Sequence, residues 1–66
     1  MRISKQVIQV HMAEKKMTMT ALATASGMSR QQLSVIIAKG VCTPASAGRI
    51  AEGLGVTVMD IVEEGE

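Results

Sequence analysis

The stretch TMTALATASGMSRQQLSVII, residues 18–37, decides how this chain is organised. A first helical pattern stops at Ser26-Gly27, and a second helical pattern opens at once from Ser29. Two short helices joined by a tight turn that contains glycine are typical of a helix-turn-helix motif. We therefore predict this motif at the centre of the chain.

The second helix of the motif begins with polar side chains that suit contact with DNA bases. Arginine pairs with the O6 and N7 atoms of guanine in the major groove, and glutamine pairs with N6 and N7 of adenine. The candidate base contacts are Arg30, Gln31, Gln32, Ser34 and Val35. Val35 suits a thymine methyl group, whereas Gln32 also suits capping of its own helix. A solvated polar face is the alternative explanation.

Helical patterns also precede and follow the motif, and no strand pattern is clear. The predicted helices run from the cap Ser4 to about Lys16, from Thr18 to Gly27, from Ser29 to Gly40, from Thr43 to Gly55, and over a last turn from Thr57. Apolar side chains at helical spacing predict a core of Ile8, Met12, Leu22, Ala23, Leu33, Ile36, Ile37, Ile50, Ala51 and Leu54. Residues 56–62 are rich in β-branched side chains, so a strand is the alternative there. We predict an all-α fold, a compact bundle of four or five helices.

Composition and charge favour one small domain that binds a polyanion. Of the 66 residues, 47% are hydrophobic, which supports a compact core in a single domain over residues 1–66. The absence of Phe, Tyr and Trp argues against binding of single-stranded nucleic acid through base stacking. Residues 1–59 carry seven basic and two acidic side chains, a balance of +5, ahead of the acidic tail 63–66. A solvated surface with a solubilising tail would explain the same charges.

The sequence offers little for catalysis, metal binding or membrane insertion. It contains one cysteine, Cys42, and one histidine, His11, which are too few for a zinc site, and it has no nucleophile–base pair. A redox role for Cys42 is the alternative to an inert thiol. The longest apolar run, residues 35–38, is far shorter than the ~20 residues of a membrane span. We expect a soluble cytoplasmic protein that is not an enzyme and uses no cofactor, metal or small-molecule ligand.

The order of these signals resembles the Cro and phage-repressor helix-turn-helix family, also called the XRE family. The matching segments are Thr18, Leu22-Ala23, Gly27, Ser29 to Ser34, and IAEGLGV at residues 50–56. The resemblance covers roughly residues 8–62 and implies a fold like the DNA-binding domain of lambda repressor, with the second and third helices as the motif. An ion pair common in the family is replaced here by Met12 and Ile37. We expect these two side chains to touch, because well-packed apolar residues can replace a buried ion pair without loss of stability.

The resemblance also implies contacts to the DNA backbone on either side of the third helix. The start of the second helix and the loop after the third would meet phosphates, because helix N-termini carry free N–H groups and a positive dipole end. The candidate phosphate contacts are Thr18, Met19, Thr20, Ser29, Lys39 and Thr43. Met19 has only its backbone N–H to donate, and capping alone would explain Thr18 and Thr43.

The sequence therefore predicts a sequence-specific, double-stranded DNA-binding transcriptional regulator that resembles a small phage- or mobile-element-type repressor. One recognition helix reads few base pairs, so we expect a homodimer on half-sites ~34 Å apart. The candidate dimer surface is Val58, Met59, Ile61 and Val62. Burial of these residues inside the monomer is the alternative. Two rival functions use the same fold without independent DNA binding, namely an antitoxin-like partner and a protein-interaction module.

Overall fold

The computed structural model describes residues 1–63, which fold into five α-helices. The helices are α1 (Lys5–Lys15), α2 (Met19–Ser26), α3 (Arg30–Lys39), α4 (Pro44–Leu54) and α5 (Val58–Ile61). This architecture confirms the predicted all-α class and all five predicted helices. Residues 64–66 of the predicted acidic tail lie outside the described residues.

Each helix begins where the sequence provides a serine or a threonine. The side chains of Ser4, Thr18, Ser29 and Thr43 each accept the backbone N–H of the third following residue. At α5 the roles are reversed, because the Asp60 carboxylate accepts the backbone N–H and the hydroxyl of Thr57, at 3.2 Å each. These bonds pair N–H groups that a helix start leaves without a partner. The helix boundaries are therefore set by local chemistry.

A second local pattern brackets every helix start, and it was not among the predictions. The residue before each cap and the fourth residue of each helix are apolar, an arrangement called a hydrophobic staple. The residues before the caps are Ile3, Met17, Met28, Cys42 and Val56, and those at the fourth positions are Ile8, Leu22, Leu33, Ala47 and Ile61. The fourth-position residues are all fully buried, and those before the caps are buried or pack against the core. Cys42 therefore serves as an apolar packing residue.

The core brings α2 into close contact with α4. Beyond the fourth-position residues, it contains Ile3, Ala23, Ile37, Ile50, Ala51 and Leu54, and Ile36 is only half-buried where we predicted burial. The closest approach is at Gly53 of α4, where a Cβ atom would lie 2.5 Å from the Ser26 Oγ and 3.2 Å from the Leu22 Cδ1. Glycine at this position lets the two helix backbones pack together. The hydroxyl of Ser26 is buried there and has no hydrogen-bond partner among residues 1–63.

An extended segment at residues 1–4 joins two loops that are distant along the chain. Arg2 forms an antiparallel bridge with Val41, and Ile3 forms one with Val62. The Ile3 side chain enters the core and is 1% exposed. The predictions omitted this segment, because its pairing partners are too far away in sequence for any local pattern to indicate them. It ties the loop after α3 to the end of α5.

Residues 56–62 are mainly helical, so the alternative strand prediction is wrong for the centre of this stretch. Val58–Ile61 form the helical turn α5, and only Val62 is paired in an extended conformation. The following acidic residue, Glu63, is exposed.

Candidate nucleic-acid interface

The turn between α2 and α3 has the geometry that a helix-turn-helix motif requires. Gly27 ends α2 in the left-handed conformation, with φ 72° and ψ 30°, and its N–H bonds to the last turn of α2. A side chain at this position would be strained, because left-handed backbone is costly for residues with a Cβ atom. Ser29 then caps α3 after one intervening residue, Met28, which packs against the core. The turn is therefore anchored on both sides.

The outward face of α3 carries the predicted base contacts. Leu33 and Ile37 turn inward and are buried. At about 100° of rotation per residue, Gln31 and Val35 project away from that buried stripe. Gln32 and Ser34 flank them, whereas Arg30, the first residue of α3, falls on the side of Leu33 and Ile37 and is nevertheless exposed. All five predicted base contacts are exposed: Arg30, Gln31, Gln32, Ser34 and Val35. The helix thus presents arginine and amide groups together with one aliphatic side chain, Val35, that is 46% exposed.

The start of α3 leaves hydrogen-bond donors available to a ligand. The Ser29 Oγ accepts the Gln32 N–H at 3.0 Å. Among the described residues, no bond from the Gln32 side chain returns to Ser29, so the amide of Gln32 stays available for a base. The N–H groups of Arg30 and Gln31 precede the first intrahelical bond and also lack an intrahelical acceptor.

The start of α2 presents a similar set of donors. The Thr18 Oγ1 accepts the Ala21 N–H at 3.1 Å, which leaves its hydroxyl hydrogen able to donate to a phosphate. Thr20 is exposed, whereas the Met19 side chain is half-buried and packs against the core. Met19 therefore has only its backbone N–H to offer, as the sequence indicated.

The loop after α3 contains the other two predicted phosphate contacts. Lys39, the last residue of α3, and Thr43, the cap of α4, are both exposed. The Thr43 hydroxyl is already engaged, because it donates to the Ser46 Oγ and accepts the Ser46 N–H, both at 3.2 Å. Pro44 follows without an N–H, so Ala45 provides the first free backbone donor of α4.

The predicted dimer surface is divided between the core and the solvent. Ile61 is fully buried inside the monomer, which corrects the prediction that this side chain lies on a dimer surface. Val58 packs against the core and Val62 is half-buried. Only Met59 is strongly exposed, at 70%. Burial inside the monomer, the alternative left open above, holds for Ile61 because it occupies the fourth position of α5.

Outside α3, His11 has an acidic neighbour and the thiol of Cys42 has a shifted pKa. His11 Nδ1 lies 3.7 Å from the Glu14 carboxylate on the surface of α1. Partial burial raises the pKa of the Cys42 thiol, and the nearby N-terminal ammonium opposes part of that rise.

Residues 1–63 contain no cluster of His, Cys, Asp and Glu that could hold a metal ion, and no pocket is found on their surface. None of their helices is both long and apolar enough to cross a membrane.

The expected contact between Met12 and Ile37 stays a prediction. Met12 is half-buried and packs against the core that includes Ile37.

Comparison with known proteins places the chain in a DNA-binding family. A family model described as winged helix-turn-helix DNA-binding matches residues 3–62, which covers α1 to α5. Searches of curated proteins and of solved structures gave no match. Residues 1–63 contain no β-hairpin that would form a wing, and their extended pairs are the bridges Arg2–Val41 and Ile3–Val62. The family match and the turn between α2 and α3 agree, and the chain belongs to the winged helix-turn-helix DNA-binding family.

Proposed function

We propose that this protein is a sequence-specific transcriptional regulator that inserts α3 into the major groove of double-stranded DNA. The observation that carries the proposal is the exposed polar surface of α3, with Arg30 at the capped start of the helix and Gln31 and Val35 on its outward face. A helix docked in this way presents its N-terminal residues to base edges. The DNA-binding family supports the same class of ligand.

Each exposed residue of α3 has a role that follows from its chemistry. Arg30 suits guanine, and Gln31 suits adenine, with each bidentate pair discriminating against a wrong base by about 1–3 kcal/mol. Gln32 and Ser34 add single hydrogen bonds, and Val35 packs against a thymine methyl group. Phosphates on either side are held by the starts of α2 and α4, which fix the register of α3 without reading sequence.

The finer proposal is a small repressor of the Cro and phage-repressor type, acting in the cytoplasm as a homodimer. The order of signals from Thr18 to Val56 supports this assignment. One α3 helix covers few base pairs, so two copies on half-sites ~34 Å apart would provide specificity. Met59, which is 70% exposed, is the strongest candidate for the contact between copies. In this role the protein needs no catalytic group, cofactor or small-molecule ligand.

Selection of bound sites from random duplexes, followed by binding measurements at several salt concentrations, tests this proposal. We expect affinity to fall steeply with salt, because neutralised phosphates release counterions. Arg30→Ala should relax specificity at one base position, at a cost of about 1–3 kcal/mol for the preferred base. Arg49→Ala is the matched control, because Arg49 is an exposed arginine of α4 that we assign to no base.

Two outcomes would contradict parts of the proposal. Absence of binding to any duplex at low salt would favour a protein-interaction module and remove the proposed function. Sedimentation of the wild type as a monomer at the concentrations where it occupies DNA would remove the homodimer. If the dimer forms, Met59→Lys should weaken it, since a charge would be buried against the second copy.

A further inference from the structure

The extended N-terminal segment holds an exposed arginine beside the loop that follows α3. Arg2 and Val41 form an antiparallel bridge, and two hydrogen bonds flank the pair. One joins the Ile3 N–H to the Gly40 carbonyl oxygen at 3.0 Å, and the other joins the Cys42 N–H to the carbonyl oxygen of the N-terminal residue at 2.9 Å. Opposed residues flanked in this way have Cα atoms about 4.5 Å apart, with their side chains on the same face.

Alternation along the segment directs the Arg2 side chain to the solvent. Successive side chains of an extended segment point to opposite faces. Ile3 points into the core and is 1% exposed, so Arg2 points outward. Arg2 is accordingly exposed, and its bridge partner Val41 is 45% exposed.

This solvent face borders the loop that we assign to phosphate contact. Val41 lies two residues after Lys39 and two residues before Thr43, a reach of no more than ~7 Å of chain in either direction. Among residues 1–63, the one contact within ion-pair distance is between His11 and Glu14, so none of the carboxylates of these residues lies within that distance of Arg2. Two cationic residues, Arg2 and Lys39, therefore border the loop that leads into α4, and the helix dipole adds positive potential at the start of α4.

We infer that Arg2 is a further phosphate contact, which forms a clamp on the DNA backbone together with Lys39 and the start of α4. The inference rests on the proposed function, because the clamp has no ligand unless the protein binds DNA. A guanidinium group suits this position, since it donates two parallel hydrogen bonds to phosphate oxygens. The bridge to Val41 holds the backbone of Arg2 in place, so less conformational freedom is lost on binding.

Glu63 lies on the other side of the segment, opposite Arg2. Its N–H donates to the Arg2 carbonyl oxygen at 3.0 Å, next to the bridge between Ile3 and Val62. Opposed residues of an antiparallel pair share a face, so the Glu63 carboxylate is a neighbour of the guanidinium, beyond ion-pair distance, and attracts it through the solvent. Removal of the Glu63 charge should therefore leave Arg2 freer to bind a phosphate.

Salt-dependent DNA binding of the full chain tests the inference. The probe is a duplex carrying the selected site, and the variants are Arg2→Gln, Arg2→Lys and the control Arg49→Gln. We expect Arg2→Gln to reduce the slope of log affinity against log salt by about 0.9, the value for one lost phosphate contact. Arg2→Lys should keep the slope, because lysine retains the charge. Arg49→Gln should also keep it.

Removal of the Glu63 charge, alone and together with Arg2→Gln, tests whether Glu63 acts through Arg2. Glu63→Gln should raise the affinity for DNA when it is the only change, and should have little effect when it is combined with Arg2→Gln.

An unchanged slope for Arg2→Gln, with wild-type binding intact, would overturn the inference and leave the proposed function standing. Equal slope losses for Arg2→Gln and Arg49→Gln would also overturn it, since they would indicate a general charge effect. Absence of DNA binding by the wild type would overturn both proposals. Circular dichroism of each variant checks that the fold is retained.

Discussion

The two helices of the central motif are neighbours in sequence, yet different forces specify them. α2 places Leu22, Ala23 and Ser26 in the interior, where the last of these meets the backbone of Gly53. α3 buries only Leu33 and Ile37 and leaves a polar face exposed. Packing inside the protein restricts what α2 can contain. The exposed side chains of α3 are not constrained by packing inside the protein, so they are available to bind a ligand.

The largest difference between the two helices should appear when one apolar side chain of each is shortened. Leu22→Ala should lower the free energy of unfolding by about 2–5 kcal/mol, since it removes a fully buried side chain and leaves a cavity. Val35→Ala should change it by no more than about 0.5 kcal/mol, since Val35 is exposed. Urea unfolding measures both values. Equal costs would show that α3 is buried against something in solution.

The next effect concerns the close contact between α2 and α4. Gly53→Ala should cost about 1–3 kcal/mol, because its Cβ would collide with the Ser26 Oγ. Gly48→Ala in the same helix is the matched control, since a Cβ there meets nothing within 4 Å. It should stabilise the protein by about 0.5–1 kcal/mol through helix propensity.

Removal of the Ser26 hydroxyl tests the same contact between α2 and α4 from the other helix. Ser26→Ala should recover part of the loss in Gly53→Ala, because the colliding oxygen is gone. Thermal unfolding of the two single variants and the double variant gives the coupling between the sites. Simple additivity would mean that α2 and α4 are less closely packed than the distances at Gly53 indicate.

A smaller effect is expected at the helix ends. α2 ends at Gly27 with φ 72°, whereas α1 ends at Lys16 with φ 55°, and both are left-handed. Gly27→Ala should cost about 1 kcal/mol from backbone strain alone, because a Cβ there meets no other atom within 4 Å. Lys16→Gly should do the reverse and stabilise by up to about 1 kcal/mol. Guanidinium unfolding measures both, and a loss for Lys16→Gly would contradict this reasoning.

The smallest effect should come from pH. Partial burial raises the pKa of the Cys42 thiol in the folded state, so the folded protein prefers the neutral thiol. The stabilisation is complete below the pKa of an unfolded cysteine, about 8.5, and is lost as pH rises through the folded-state pKa. Cys42→Ala should remove this loss, as urea unfolding between neutral and alkaline pH would show. An identical decline in both proteins would assign it to other groups.

Local signals explain why so much of the fold could be predicted. Ser29 caps α3 and Gly27 ends α2 through bonds to residues a few positions away, so their effect is visible in the sequence. The apolar residues before each cap were equally visible, and using them would have placed Ile3 in the core and given Cys42 its packing role. The base-contact candidates followed from the same boundaries, because an exposed helix start depends on where the cap lies.

Contacts between distant parts of the chain explain what the predictions from sequence got wrong or omitted. Ile61 was assigned to a dimer surface, because its exposure depends on how α5 docks on the rest of the domain. The need for glycine at position 53 depends on how closely α2 approaches α4. The need for glycine has no local signature, whereas the burial of Ile61 has one, the fourth position of a capped helix, which the predictions did not use.

The sequence by itself determined where each helix begins and ends, and which face of α3 is polar, since capping, turn geometry and helical periodicity act within a few residues. Only the tertiary structure decided that Arg2 stands beside the loop after α3, since its bridge to Val41 joins distant parts of the chain. It also decided which of the apolar residues near the C-terminus are buried. Such contacts form only when the helices pack together, and no short stretch of sequence records how they do so.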